Sequence, residues 1–205
     1  MIYLGGGGSE HDESALWDEV FLPGVRLAVW PEAMPRPQWP DTRRWFEAAL
    51  EPRGWFTFVD AWADAEVVVI PGGNTFDLLH AVRDRLTDLQ AFVRRGGHVY
   101  GGSAGAIVLG ADIAIAGLLD PDNIGLTDTR GAGLLSGCVV LPHYTADQES
   151  VARAQNATVL AIPETAGVVV DGARARNAGP SPVHVITPDA VTPYAAGATF
   201  TLGTC

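Results

Sequence analysis

The chain has 205 residues, of which 24 are acidic and 13 basic, so that its formal net charge is -11. This charge argues against nucleic acid or an anionic membrane as a partner, because both are bound through clusters of cationic side chains. The length fits one sizeable hydrophobic core, and we predict a single domain over residues 1–205.

The apolar start of the chain stops at a run of glycines after residue 4, which is too short for a signal peptide. No apolar run reaches the length of a membrane span. The cysteines are Cys138 and Cys205, so free thiols are expected rather than a disulfide framework. Histidines and cysteines lack the spacing of metal ligands. We therefore predict a cytoplasmic protein that uses no metal and no cofactor.

Short apolar runs alternate with helical patterns along the chain, which predicts an α/β fold with a mostly parallel central sheet and helices on both faces. The last strands follow one another closely and predict a small β meander at the C-terminus. Predicted strands cover residues 2–4, 26–30, 56–59, 66–70, 98–101, 139–141, 159–162, 168–170 and 184–186, and predicted helices cover 42–50, 76–82, 86–95 and 104–109.

The first predicted strand ends in four glycines, residues 5–8. We interpret this run as a flexible turn, with a close approach of the backbone at this sheet edge as the alternative. No lysine follows where a phosphate-binding loop requires one, and the glycine spacing of a dinucleotide fold is absent.

The predicted strand 66–70 is followed by Pro71, Gly72, Gly73 and Asn74, and then by a predicted helix. Parallel sheets bind ligands beyond the carboxyl ends of their strands. Gly73 is therefore a candidate to donate its backbone N–H to an oxyanion. Asn74 is predicted either to bind the substrate or to cap the following helix.

Residues 101–105 read Gly-Gly-Ser-Ala-Gly between a predicted strand and a predicted helix, which is the G-x-S-x-G pattern of a nucleophile elbow. A serine at such a turn has a strained backbone and an exposed Oγ, and the flanking glycines avoid a collision with the turning chain. Ser103 is therefore the candidate nucleophile. The amide of Ala104, at the start of the helix, is the candidate second oxyanion donor.

A serine nucleophile needs a base, and His143 is the candidate among the five histidines. It follows the predicted strand 139–141, which places it beyond a carboxyl end and at the edge of the sheet predicted for Ser103. The others lie in a polar loop, on a helix, at the opposite end of a strand and in the closing meander: His11, His80, His98 and His184.

The sequence resembles the peptidase E family of aspartyl dipeptidases and, more distantly, cyanophycinase, which share a fold related to class I glutamine amidotransferases. The resemblance covers residues 2 to about 165. It implies a serine hydrolase with Ser103 as nucleophile, His143 as its base, and the amides of Gly73 and Ala104 as oxyanion donors. The glutamine amidotransferases have cysteine at this elbow, so serine favours hydrolysis of peptides or amides. Four pieces match in order: the glycine-ended first strand, residues 72–76, residues 102–106, and residues 131–135 leading into Pro142, His143 and Tyr144.

The same resemblance implies that the acid of the catalytic triad comes from the segment between the serine and the histidine. Asp120 has the most family-like position there, and Asp122 is its rival. Because aspartate and proline are typical turn formers, a surface turn at Asp120, Pro121 and Asp122 is the alternative interpretation.

Glu164 follows the predicted strand 159–162 and resembles an acidic position that the family keeps near its pocket, which implies contact with the amino group of the substrate. The arginine with which the aspartyl enzymes grip their substrate is not matched, because residues 148–151 read Gln-Glu-Ser-Val. Arg153 lies nearby but on the wrong face of the helix. Strict specificity for N-terminal aspartate is therefore not expected.

Together these features predict a serine peptidase that hydrolyses short peptides, as dipeptidases do, through an acyl-enzyme. Its expected partner is a small peptide substrate, and its expected state is a monomer or a homodimer. Two alternatives stay open. One is an esterase of the α/β-hydrolase kind, which uses the same elbow; the other is a non-catalytic amidotransferase-like binding module without a competent acid.

Overall fold

Two β-sheets and a set of short helices make up the fold, as seen in a computed structural model that describes residues 1–203. The strands are β1 (Ile2–Gly5), β2 (Arg26–Val29), β3 (Thr57–Phe58), β4 (Val67–Ile70), β5 (His98–Gly102), β6 (Val139–Pro142), β7 (Val159–Ile162), β8 (Gly167–Asp171), β9 (Arg174–Asn177), β10 (Val183–Ile186), β11 (Val191–Tyr194) and β12 (Thr199–Thr201). The α-helices are α1 (Ser14–Val20), α2 (Trp39–Leu50), α3 (Thr75–Val82), α4 (Leu86–Arg94), α5 (Ala104–Leu109) and α6 (Glu149–Arg153), and short 3-10 helices cover Arg36–Gln38, Glu51–Arg53, Trp62–Asp64, Arg83–Arg85, Ala114–Leu118 and Ala146–Gln148.

The larger sheet has the strand order β12-β9-β8-β1-β5-β4-β2-β3. Its half from β1 to β3 is parallel, and β8, β9 and β12 extend it with antiparallel pairing. Every residue of β1 and β4 is buried, as expected for parallel strands that are covered on both faces. The predicted α/β class with a mostly parallel central sheet is confirmed.

Helices cover both faces of the larger sheet, because successive side chains of each strand point to opposite sides. On one face, α1 and α2 bury Trp17 and Phe46 against Tyr100 of β5. On the other face, α3, α4 and α5 pack against the alternate strand residues, among them Val68 and Val99. The central strands thus lie between two clusters of buried side chains.

The smaller sheet has the strand order β11-β10-β7-β6 and differs from the sequence prediction. The segments 139–141 and 159–162 are predicted as strands of the same sheet as the others, but β6 and β7 pair with each other in parallel, and β7 pairs with β10 in antiparallel fashion. The predicted C-terminal meander is also divided. Strands β8, β9 and β12 join the larger sheet, whereas β10 and β11 join the smaller one.

Two further sequence predictions concern the cysteines and the membrane. Cys138 lies buried immediately before β6, and Cys205 falls outside the described residues. Across residues 1–203, no helix is both long enough and apolar enough to cross a membrane.

Candidate active site

Ser103 occupies the sharp turn between β5 and α5, as the G-x-S-x-G pattern predicts. Its backbone has φ 51° and ψ -114°, a conformation that non-glycine residues rarely adopt. The turn closes because Gly105 lies against the end of β4, where a Cβ would come 1.9 Å from the carbonyl oxygen of Ile70. Glycine at this position therefore lets α5 begin directly above the sheet and presents the serine hydroxyl at the sheet edge.

His143 comes to the serine from the smaller sheet. Its Nε2 lies 2.9 Å from Oγ of Ser103, although β6 belongs to a different sheet from β5. The backbone of His143 also has a positive φ, 53°, and its N–H donates to the carbonyl of Gly6 at 2.8 Å. The loop after β1 thus fixes the backbone of His143 beside the serine.

Glu164 is the acid beside His143. Its Oε1 lies 2.8 Å from Nδ1 of the imidazole, and its side chain is 59% exposed. The parallel pairing of β6 and β7 sets Pro142 opposite Ile162, so that the residues following the two strands emerge side by side. A carboxylate only accepts hydrogen bonds, so Nδ1 carries the proton of the neutral imidazole and Nε2 is free to accept from the serine hydroxyl.

The structure does not bring Asp120 or Asp122 to His143, which corrects the assignment of the acid. Oδ2 of Asp120 accepts hydrogen bonds from the backbone N–H of Thr75 at 2.9 Å and from its hydroxyl at 2.6 Å. The carboxylate of Asp122 accepts from the amides of residues 124, 125 and 126 in its own loop. Both carboxylates therefore accept hydrogen bonds from backbone N–H groups. The alternative interpretation of this segment as a surface turn fits Asp122, whose hydrogen bonds stay within its own loop.

The backbone amides of Gly73 and Ala104 flank the serine. Gly73 has φ 138°, and the adjacent Gly72 lies so close to the nucleophile that a Cβ on it would come 3.2 Å from Cβ of Ser103. Within residues 1–203, no hydrogen bond engages the amide of Gly73 or of Ala104. Their role as oxyanion donors stays a prediction.

Asn74 has both ends of its side-chain amide engaged within the protein. Its Oδ1 accepts from the N–H groups of Phe76 and Asp77, which makes it the N-cap of α3, and its Nδ2 donates to the carbonyl of Pro121 at 3.0 Å. The structure thus gives Asn74 the capping role that the sequence offered beside substrate binding. Its contact with a substrate stays a prediction.

The glycine run after β1 is closely packed and not a loose turn. Gly7 has φ 91°, and a Cβ on it would lie 2.3 Å from Nε2 of His143. No larger residue fits between this loop and the imidazole. Of the two interpretations of residues 5–8, the structure bears out the close backbone approach, although what is approached here is the candidate base.

A buried carboxylate that the sequence analysis did not single out supports this loop from below. Glu13 is only 3% exposed, and its Oε1 accepts from the N–H of Gly7 at 2.8 Å. Its Oε2 accepts from the hydroxyl of Tyr100 at 2.6 Å and from Nε1 of Trp17 at 3.4 Å. Burial raises the pKa of Glu13, although these hydrogen bonds oppose the shift. Desolvation likewise raises the pKa of Tyr100 well above its ordinary value.

An open cavity of about 400 Å³ lies between α2 and the loop that follows β4. Its floor includes Pro71 and Gly72, which follow β4, and its wall is formed by α2 and the residues that precede it. Gly72, which lines the cavity, is also the glycine that approaches Cβ of Ser103. The pattern of the sequence did not reveal this space, because α2 and the loop after β4 meet only in the folded chain.

The chain is similar to known proteins in sequence and in fold. The model of the family described as Peptidase family S51 matches residues 58–177. A peptidase E from Citrobacter koseri is 30% identical over 161 residues, which are 69% of this chain and 68% of that protein. A peptidase E from Shigella flexneri serotype 5b is 28% identical over 191 residues, which are 80% of this chain and 81% of that protein.

Two solved structures share the fold. A candidate peptidase E protein from Listeria monocytogenes EGD-e superposes with a TM-score of 0.69 at 20% identity, covering 86% of this chain and 96% of that one. A peptidase from an acI-B1 Actinobacterium superposes with a TM-score of 0.64 at 18% identity, covering 98% of this chain and 96% of that one. At these identities the structures support the fold alone.

Proposed function

Because the chain belongs to peptidase family S51, we propose that it is a serine peptidase in which Ser103, His143 and Glu164 act together on short peptides. The observation that carries this proposal is the continuous chain of contacts from Ser103 Oγ to His143 Nε2 at 2.9 Å and from His143 Nδ1 to Glu164 at 2.8 Å. This is the arrangement of nucleophile, base and orienting acid that serine hydrolases use.

In the proposed reaction, His143 takes the proton of Ser103 as Oγ attacks the carbonyl carbon of the scissile peptide bond. The negative charge that develops on the carbonyl oxygen is stabilised by the N–H groups of Gly73 and Ala104. His143 then donates its proton to the departing amine, and the acyl group stays on the serine. Water, deprotonated by the same imidazole, attacks the acyl-enzyme and releases the acid product.

Glu164 takes the role of the acid in this proposal because the carboxylate fixes the tautomer of His143 and stabilises the imidazolium that forms during the reaction. Asp120 has a different task, since its carboxylate holds the start of α3 through Thr75. Because Glu164 contacts His143, we do not propose that it binds the amino group of the substrate.

Residues 148–151 contain no arginine in the place where the family has one, so a strict preference for N-terminal aspartate has no support there. The guanidinium of Arg153 donates from Nε to Glu149 at 2.9 Å and from Nη1 to the carbonyl of Pro188 at 3.3 Å. It is therefore held along α6 by its own neighbours. We propose a peptidase whose substrate need not begin with an acidic residue.

The family and the contacts together favour this proposal over the two alternatives. Membership of a peptidase family favours peptide hydrolysis over the esterase, and an acid in hydrogen-bonding contact with His143 removes the reason for a binding module without a competent acid. Esters nevertheless belong in the substrate panel, because an acyl-enzyme mechanism accepts them as well.

The test is a hydrolysis screen over dipeptides, tripeptides, N-terminally blocked peptides and simple esters, together with labelling by a small alkyl fluorophosphonate. We expect the probe to add to Ser103 and Ser103→Ala to lose at least about 10⁴-fold in kcat. Ser136→Ala is the matched control, because Ser136 has a similar φ, 52°, but lies outside the cluster of Ser103, His143 and Glu164. Retained turnover in Ser103→Ala would refute the proposal.

A further inference from the structure

We propose that Glu13 is a positioning residue for the hydrolysis, because its buried carboxyl group holds the glycine loop on which the candidate base rests. The glycine loop consists of residues 5–8, at the end of β1. The inference rests on the proposed serine peptidase function and adds a residue that acts through others and not on the reacting atoms. It acts by fixing where His143 stands between Ser103 and Glu164.

The glycine loop supports both the backbone and the ring of His143. The carbonyl of Gly6 accepts the backbone N–H of His143 at 2.8 Å. A Cβ on Gly7 would come 2.3 Å from Nε2 and 2.4 Å from Cε1 of the imidazole, so the bare backbone of Gly7 lies against the ring. A displacement of this loop therefore moves the nitrogen that receives the proton of Ser103.

The same loop packs against the segment that carries the acid. A Cβ on Gly6 would come 1.9 Å from the carbonyl oxygen of Pro163, and a Cβ on Gly8 would come 2.5 Å from the carbonyl oxygen of Glu164. The loop thus contacts the residues that follow β6 and those that follow β7. Its position bears directly on the 2.8 Å contact between His143 and Glu164.

Glu13 attaches the glycine loop to the core of the larger sheet. Its Oε1 accepts the N–H of Gly7 at 2.8 Å, and its Oε2 lies so close to the loop that a Cβ on Gly5 would come within 2.1 Å of it. Oε2 also accepts the hydroxyl of Tyr100 at 2.6 Å, and Tyr100 belongs to β5, the strand that leads into Ser103. One carboxyl group therefore connects the strand of the nucleophile with the loop beneath the base.

Stability alone is a weak reason for an acid at this place. Glu13 is 3% exposed, and a buried ionisable group is often replaced by an apolar residue of similar volume with no loss of stability. An apolar side chain would fill the same space, but it would offer no oxygen to the N–H of Gly7. The specific contribution of Glu13 is therefore the hydrogen bond that fixes the loop.

Three substitutions of Glu13 separate this hydrogen bond from charge and from packing. Glu13→Gln removes the charge and keeps an oxygen that accepts from Gly7. Glu13→Asp keeps the charge, but it is one methylene shorter and falls short of holding Gly7 and Tyr100 together. Glu13→Met keeps the approximate size and offers Gly7 no oxygen.

We expect kcat on the best substrate of the hydrolysis screen to fall in the order Gln, Asp, Met. A misplacement of 1 Å costs about 100-fold in rate, so Glu13→Met should lose about 100-fold in kcat, Glu13→Asp about tenfold and Glu13→Gln less than about threefold. KM should change by less than about threefold, because the lost contact affects proton transfer and not substrate binding. Labelling by the alkyl fluorophosphonate should slow in the same order, since His143 activates Ser103 for that reaction too.

Val20→Ala is the matched control for a general loss of stability. Val20 is buried at the other end of α1, the helix that begins immediately after Glu13, and it has no part in the contacts of the glycine loop. We expect Val20→Ala to unfold at a lower urea concentration than the wild type and to keep kcat within about threefold. Urea unfolding of every variant provides the comparison between stability and rate.

The results distinguish the positioning role from the peptidase proposal itself. Wild-type kcat in Glu13→Met overturns the positioning role and leaves the serine mechanism standing. So does an active Glu13→Asp with an inactive Glu13→Gln, or a loss of kcat in Val20→Ala as large as that in Glu13→Met. If Glu13→Met does not fold, Glu13→Asp measured against Glu13→Gln decides the same question. Absence of both labelling and hydrolysis in the wild type refutes the serine peptidase, and the positioning role with it.

Discussion

Replacing Glu164 by glutamine should slow peptide hydrolysis by about 100-fold without unfolding the protein. The substitution keeps the size of the side chain and removes the charge that faces Nδ1 of His143 at 2.8 Å. The amide of a glutamine is also able to donate to Nδ1, which would favour the tautomer with the proton on Nε2. That tautomer cannot accept the proton of Ser103.

The expected magnitude follows from the exposure of the pair. An ion pair in full contact with water contributes up to about 1 kcal/mol, which is about fivefold in rate. The buried acid of a serine-protease triad contributes about 10⁴-fold when its charge is removed. Glu164 is 59% exposed and His143 31%, so the effect here should fall between these limits, near 100-fold.

The assay is kcat and KM on the best substrate of the hydrolysis screen, with the free energy of unfolding measured by urea for each variant. Asp120→Asn is the matched control, since it removes the charge of the acid that was predicted from sequence. Its carboxylate binds Thr75, so we expect it to lower stability by about 1 kcal/mol and to change kcat by less than about threefold. A larger loss of kcat in Asp120→Asn than in Glu164→Gln would refute the reasoning.

Three further predictions concern the groups around this site. Gly7→Ala should abolish hydrolysis, because a Cβ at this φ of 91° would lie 2.3 Å from Nε2 of His143, whereas Gly117→Ala, where a Cβ meets no atom within 4 Å, should retain normal rates. Burial raises the pKa of Glu13, so the free energy of unfolding of the wild type, relative to Glu13→Gln, should be highest below about pH 4.3 and fall as pH rises through the folded-state pKa. Urea unfolding across this range checks the difference, and parallel curves would contradict it. Asn74→Ala should cost about 1 kcal/mol of stability, measured in the same way, because two amides at the start of α3 lose their cap; an unchanged midpoint would contradict that role.

The central sheet was predictable because its strands carry their signal locally. Strands β1 and β4 are short apolar runs that are followed by glycine and by proline respectively, and β5 leads directly into the G-x-S-x-G turn. The second sheet was not predictable in the same way. Strand β6 has the same apolar character as the others, and its separation from β5 depends on pairing with β7 and on the antiparallel partner β10, which joins β7 from further along the chain.

The residues of the candidate site likewise differ in whether local sequence predicts their positions. Ser103 and His143 follow strands directly, so their positions are set by local sequence, and the structure brings them into contact. The acid was chosen in the segment between them, which runs through loops whose path no local pattern fixes. The pairing of β6 with β7 would have identified the acid. Residues that follow two adjacent parallel strands emerge side by side, and Glu164 is the acidic residue that follows β7.

Glu13 shows why a buried acid escapes a reading of the sequence. It lies in a polar, acidic stretch of residues 9–14 that is typical of a solvated loop, and its burial depends on Tyr100 and Trp17, two rings brought over it by β5 and α1. Its neighbours supply a hydroxyl, an indole N–H and a backbone N–H, which together satisfy a carboxyl group away from water.

A positive φ identifies a candidate catalytic residue only together with the contacts around that residue. Ser103, Ser136 and His143 all have positive φ values, between 51° and 53°, so the conformation alone does not mark a catalytic residue. What distinguishes Ser103 and His143 is that each is held by a close backbone approach: Gly105 lies on the carbonyl of Ile70, and Gly7 lies on the imidazole of His143. Packing of this kind fixes the distance between nucleophile and base before a substrate arrives, which is the preorganisation that transition-state stabilisation requires.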